Sequence, residues 1–196
     1  MMVSQAAPQS NERFCQVKRR LPDALRRCTI MAAKGGIRLS GYIAELRALV
    51  GHRPLMQCGA SVIVENERGE ILLQQRKDDG TWGYAGGAVE LYERVEDAAM
   101  RELREETGLE VEEMELLGIF SGPEVRHTYP NGDEVSNVDH VYVCRKYHGQ
   151  LRAEDGEAVA LRFFDIDALP QAISPPTYAP LMAYIRSRKQ KEETAK

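Results

Sequence analysis

No stretch of this 196-residue chain approaches the ~20 consecutive apolar residues that a helical membrane span requires, so the sequence argues against a membrane protein of that class. Cysteine is scarce: Cys15, Cys28, Cys58 and Cys144 lie far apart, with no CxxC pair and no zinc-like spacing to histidine. Thiols so placed read as reduced residues of a cytoplasmic protein. Neither sign of charge dominates, since 26 Lys and Arg stand against 30 Asp and Glu for a net charge of −4. That balance supplies no general attraction to nucleic acid or an anionic membrane. Residues 13–27 are basic, but they are short and broken by proline, and no DNA-reading segment is evident.

What is present describes a globular protein with a substantial core: 43% hydrophobic and 29% charged residues. The segment "FCQVKRRLPDALRRCTIMAAKGG" is basic and acid-poor, as some transit peptides are, but lacks the uninterrupted apolar stretch of a secretory signal. A translation start at Met31 accounts for the same residues equally well. Residues 1–36 are therefore read as an extension with no role in chemistry, 37–189 as the folded domain and 190–196 as a polar tail.

Within the domain, "GYIAELRALVG" (41–51) reads as a short amphipathic helix stopped by Gly51. "MQCGASVIVEN" (56–66) and "EILLQQR" (70–76) read as strands joined by a tight turn. "DDGTWGYAGG" is a glycine-rich loop leading into a helix. Further strands are expected at 114–122, 137–147 and 158–166, with a hairpin or ordered loop at 124–135 and a last helix at 174–189. Strands, helix, strands, helix imply a mixed sheet with helices on its faces, an α/β architecture.

The helix after the glycine-rich loop carries "RELREETGL" at 101–109. At about 100° per residue, Glu106 lies about 40° to one side of Glu102 and Glu105 about 60° to the other. Val95, Ala98, Ala99 and Leu103 fall in the same arc, while Arg94, Arg101, Arg104 and Thr107 fall elsewhere. Carboxylates crowded on an inward face need positive charge, either from a structural ion network or from a cation. Because the arginines project elsewhere on the wheel, a hard divalent cation with oxygen ligands is the more economical answer, and Mg²⁺ or Mn²⁺ suits it. Gly86 and Gly87 upstream permit close backbone approach of a ligand or metal.

Residues 87–109, "GAVELYERVEDAAMRELREETGL", resemble the Nudix box, G-x5-E-x7-R-E-U-x-E-E-x-G-U with U bulky and aliphatic. All nine specified positions are filled: Gly87, Glu93, Arg101, Glu102, Leu103, Glu105, Glu106, Gly108 and Leu109. The likeness extends over about residues 55–186, taking in the upstream strand–turn–strand and "RFFDIDALP" near the end. It implies a Nudix-type α/β/α sandwich with a mixed sheet, the box forming a loop–helix–loop. It also implies a MutT-like pyrophosphohydrolase, in which water attacks a phosphorus of a nucleoside diphosphate linked to another moiety, either a nucleotide sugar such as ADP-ribose or a nucleoside triphosphate.

By position in the box, Glu102, Glu105 and Glu106 are the implied ligands of Mg²⁺ or Mn²⁺, with the Gly86 carbonyl a further ligand. Glu93 and Arg101 are the implied ion pair that holds the motif together. The general base moves within the family. Here the candidates are Glu106, Glu105 and an acid before the last strand, Glu157, with Glu154 and Asp155 in reserve. Arg76 either reaches a phosphate or is an idle surface arginine. Tyr84 and Ala85 stand where many members have Leu-Pro, so Tyr84 either faces substrate or packs. Trp82 either stacks on a base or anchors a turn, and His127, Tyr129 and Glu134 either border the pocket or lie in solvent.

Family markers for substrate class are out of register: Pro123 falls fourteen residues after Leu109 and Tyr129 twenty. A non-catalytic nucleotide-binding module is the alternative, disfavoured by a complete box. Dimerisation is common in the family resembled, and a homodimer is carried as a partner reading with no residue of this chain to argue for it.

Overall fold

The computed structural model describes residues 41–153 and 158–194. The extension read over 1–36 lies outside the described residues, as do Glu154, Asp155 and Glu157. The elements are α1 (Tyr42–Val50), β1 (Leu55–Val64), β2 (Ile71–Arg76), β3 (Trp82–Gly83), β4 (Ala85–Ala88), α2 (Val95–Thr107), β5 (Leu109–Thr128), β6 (Glu134–Gly149), β7 (Ala158–Phe164) and α3 (Pro175–Thr194).

The strands form two sheets. One is mixed, in the order β4-β1-β6-β5, with β1 and β6 parallel and the flanking pairs antiparallel. The other, β3-β2-β7, is antiparallel, and a single bridge from Glu65 to Ile71 ties it to β1. Side chains alternate across a strand, so β1 serves two cores at once. Ala60, Val62 and Val64 pack with Tyr142 and Cys144 against Ala98, Ala99 and Leu103 of α2. Ile63 packs with Val141 and Val143 against Leu181, Tyr184 and Ile185 of α3. The α/β class expected from the order of elements is the one observed, with helices on opposite faces of the sheet layer.

Two local readings change. The stretch expected as a strand followed by a hairpin is one continuous β5, which stays paired to β6 through several register breaks. Bulges absorb the residues that break the alternation, including Gly122 and Pro123. The P-N-G-D turn does connect β5 to β6, closed by the Gly132 amide donating to the Tyr129 carbonyl at 2.8 Å. α3 runs five residues into the stretch read as a polar tail, because Gln, Lys and Glu are good helix formers and Arg188 pairs with Glu192 one turn on. Of the two cysteines in strands, Cys144 on β6 is buried and Cys58 on β1 is exposed.

α2 ends as its sequence predicts, at Gly108 in the left-handed region with φ 73°. Its approach is less expected. Tyr92 has φ 69° and is 97% exposed, so a side chain sits in a conformation that favours glycine and packs on nothing. Replacing it should relieve more strain than the added chain entropy costs. Tyr92→Gly is expected to raise stability by up to about 1 kcal/mol, measured by urea denaturation. A loss of stability would show that the tyrosine side chain has a partner.

Candidate active site

On α2, Ala98, Ala99 and Leu103 are fully buried, as the helical wheel requires. The three glutamates divide. Glu106 is buried at 5% exposure, the Glu102 side chain is 15% exposed and that of Glu105 is 50% exposed. The expectation of three inward carboxylates is therefore corrected for Glu105, which lies over the rim of the packed face and turns to water. Thr107, expected among the polar residues, is buried. Its hydroxyl donates back to the Leu103 carbonyl at 2.6 Å, and that bond lets it enter the core.

The wheel also placed Arg101 out of reach of the glutamates, and the structure reverses this. Its guanidinium donates twice to Glu93, at 2.7 and 2.9 Å, and to Glu102 at 2.7 Å, with a longer contact of 3.4 Å to Glu105. A further bond reaches the Ala88 carbonyl at 3.1 Å. The wheel failed because it projects Cβ directions, whereas the arginine stem is long enough to fold across its own helix. Glu93 in turn accepts from the Glu90 amide, and Glu90 accepts from the Tyr42 amide at the start of α1. One guanidinium thus joins β4, the loop after it and α2. Its hydrogen bonds, with its charge adding less, hold the Glu93 carboxyl below the usual carboxylate range.

Glu106 joins the helix to the sheet. Its Oε2 accepts from the Gly86 amide and from Gln74 Nε2, both at 2.8 Å. The group of Gly86 seen to bond a box glutamate is therefore its N–H, whereas the sequence reading assigned a role to its carbonyl. The glycines are needed for space: a Cβ on Gly86 would lie 2.7 Å from the Ser61 backbone, and one on Gly87 would lie 2.5 Å from the Glu102 carboxyl.

Beside this junction lies a cleft whose lining includes Arg76, Tyr84, Asn137, Asp139, Ser174 and Thr177. Arg76 is among the lining residues, with its guanidinium paired to Asp78 at 2.6 and 3.0 Å and lying 5.8 Å from the centre of the Tyr129 ring. Tyr84 is buried and also lines the cleft. Trp82 anchors packing, edge-on to Phe164 with ring centres 4.9 Å apart. His127 is buried beside Tyr129, and Glu134 pairs with Arg126.

Asp139, on β6, is a cleft residue that the sequence reading missed, as are Asn137 and Gln74. Its carboxylate accepts two contacts from the Ser61 hydroxyl, at 2.9 and 3.1 Å. Burial drives its pKa up, and the Ser61 bonds offset only part of that rise. The phenol of Tyr84 is near enough to feel the carboxyl, but its hydroxyl makes no hydrogen bond of good geometry. The signal that could have found Asp139 was an acid within the apolar run "NVDHVYV".

A raised carboxyl pKa is a stability cost. The unfolded chain ionises first, so stability falls as pH rises from the unfolded value through the folded one. Asp139→Asn removes this penalty and keeps an oxygen for Ser61. It is expected to be more stable than the parent at pH 7, and no more stable near pH 3, in denaturant titrations at the two pH values. Equal curves at both would show that Asp139 is ionised at no cost.

The donor set of Glu102, Glu105, Glu106 and the Gly86 backbone is all oxygen, which suits a hard divalent cation. As the side chains stand, no three acidic, imidazole or thiol groups among the described residues converge closely enough to enclose an ion. Arg101 draws on Glu102 and Glu105, while Gln74 and the Gly86 amide hold Glu106.

Comparison with known proteins agrees with this geometry. The family model for the NUDIX domain matches residues 56–185. The ADP-ribose pyrophosphatase of Methanocaldococcus jannaschii is 36% identical over 141 residues, covering 69% of this chain and 79% of that protein. The putative 8-oxo-dGTP diphosphatase of Bacillus subtilis is 34% identical over 117 residues, 60% of this chain and 72% of that protein. The crystal structure of a MutT NUDIX hydrolase from Burkholderia pseudomallei superposes with a TM-score of 0.57 at 32% identity, covering 66% of this chain and 98% of that one. A complete box, a buried glutamate clasping the glycine-rich strand and a match over most of the described residues make this chain a member of the Nudix family, a hydrolase of phosphoric anhydride bonds.

Proposed function

We propose that the protein is a Mg²⁺- or Mn²⁺-dependent pyrophosphohydrolase that cleaves a nucleoside diphosphate linked to another moiety, by attack of water on phosphorus. The observation that carries the reading is the clasp between Glu106 and the Gly86 amide, which holds the acidic helix against the strand lining the cleft. Relatives named for ADP-ribose and for 8-oxo-dGTP support both a nucleotide sugar and a nucleoside triphosphate as the substrate class.

Glu102, Glu105 and Glu106 would hold the cation, with the Gly86 carbonyl as a further donor. When bound, such a cation neutralises charge on the phosphate oxygens and makes water more acidic. The chain's own residues divide the remaining work. Arg76, in the cleft lining, draws the substrate's phosphates toward the box and exchanges Asp78 for a phosphate oxygen. Glu105, the most exposed of the three, accepts the proton of the attacking water. Glu106, buried and committed to two N–H donors, sets the helix-to-strand spacing in addition to its ligand role. Glu157 remains a second candidate base.

The test is turnover of ADP-ribose and a panel of nucleoside triphosphates with Mg²⁺, with Mn²⁺ and with EDTA, followed by product analysis. Hydrolysis that needs the cation and yields a nucleoside monophosphate is the expected result. Hydrolysis undiminished by EDTA would overturn the metal requirement, and tight nucleotide binding without turnover would overturn the reaction.

A further inference from the structure

The face of the four-stranded sheet that carries the α3 core changes character along its length. On β1, the same face presents Ile63 to the core and then Ser61, Gly59 and Gln57 to the cleft. On β6, Val143 and Val141 give way to Asp139 and Asn137. The parallel register sets Gly59 beside Asp139 and Gln57 beside Asn137, so the polar half forms one continuous floor. A strand face that turns from apolar to polar where it lines a cleft, half-buried at Gln57, Asn137 and Asp139, suits a polar occupant.

Two amide oxygens in the cleft lining lack a partner. Asn137 Oδ1 and Gln74 Oε1 are both buried without a hydrogen bond. Their orientation is determined by chemistry. Asn137 turns its nitrogen to the Val125 carbonyl at 3.0 Å, and Gln74 turns its nitrogen to the Glu106 carboxylate at 2.8 Å. Both partners are pure acceptors, so neither amide can flip, and each is left with an oxygen that only a donor can satisfy. Buried acceptors of this kind cost stability unless something supplies the N–H. Asp139 lies next to Asn137 on the same face, and its carboxyl can donate or accept according to protonation.

We propose that Asn137 and Gln74 select a nucleobase bearing an exocyclic amino group, the amino N–H groups meeting the orphaned amide oxygens while Asp139 meets the neighbouring ring nitrogen. This rests on the proposed nucleotide substrate and narrows it to adenine, guanine or cytosine derivatives over hypoxanthine and uracil ones. Gln74 then links the two halves of the site, since one end of its amide holds Glu106 and the other reads the base.

Nucleoside monophosphates test the assignment without being pyrophosphate substrates, so binding is separable from turnover. Calorimetry in Mg²⁺ buffer compares AMP and GMP with IMP, and CMP with UMP. At least one amino-bearing member of these pairs is expected to bind about tenfold or more tightly than its counterpart. Asn137→Ala should shrink that ratio to about threefold or less. Asp139→Asn, which preserves shape and a Ser61 bond, provides a second variant and should weaken binding of the preferred monophosphate in the same calorimetry. Equal affinity within every pair, no binding of any monophosphate, or a preference that survives Asn137→Ala overturns the proposal, even if hydrolysis is found. A base preference lost in Asn137→Ala, in a protein that hydrolyses nothing, upholds the base-reading floor and overturns the proposed reaction instead.

Discussion

Glu106→Gln is expected to lower kcat by about 10²–10⁴-fold, with the protein still folded. The substitution conserves volume in a side chain only 5% exposed, and its amide oxygen can take the place of Oε2 and keep both bonds, from Gly86 and from Gln74. What it removes is the negative charge at the junction between α2 and β4. Glu105→Gln alters a half-exposed group with one long contact and should leave stability unchanged. Phosphate release measured beside thermal melting separates the two: a loss of activity in both variants, with a change in melting only for Glu106→Gln, is the expected pattern. Full activity in Glu106→Gln would sink the mechanism.

Arg101→Ala is expected to cost about 2–3 kcal/mol of stability. The full penalty for breaking a buried ion network is about 3–5 kcal/mol, and it is discounted here because the guanidinium is 25% exposed. Lysine should recover little, since its single ammonium cannot supply the fork that grips both Glu93 oxygens. The pH dependence follows from Glu93, whose carboxyl is held below its usual range chiefly by the bond from Arg101. That contribution is fully present above the unfolded value of about 4.3 and is lost as pH falls through the folded one. The stability gap between parent and Arg101→Ala should therefore narrow on going from pH 7 to pH 3 in denaturant titrations. A constant gap would assign the loss to packing of the arginine stem.

How much was legible depended on the range of the interaction. The strands at 56–66 and 70–76 and the helix stop at Gly108 are local matters of β-branching, turns and backbone freedom, and all were readable. β5 was read as a strand and a separate hairpin because its bulges interrupt the alternation that marks a strand, and only pairing to β6 carries the chain across them. The orientation of Glu105 and the reach of Arg101 were misread for a related reason. A wheel carries the direction of a side chain from its helix and carries nothing about its length or the distance to a neighbouring strand.

The sequence by itself determined the family, the acidic helix and the glycines that let β4 approach it, because these depend on residue types at set spacings along one segment. Only the tertiary structure decided which glutamate is buried and that Gln74 and the Gly86 amide hold it, the latter across twenty positions of chain. It alone placed Asn137 and Asp139 in the floor of the cleft, beside β1 residues some eighty positions away. The physical reason is that burial and hydrogen-bond satisfaction belong to the assembled sheet. An asparagine in a strand is ordinary until packing withholds a donor from its oxygen.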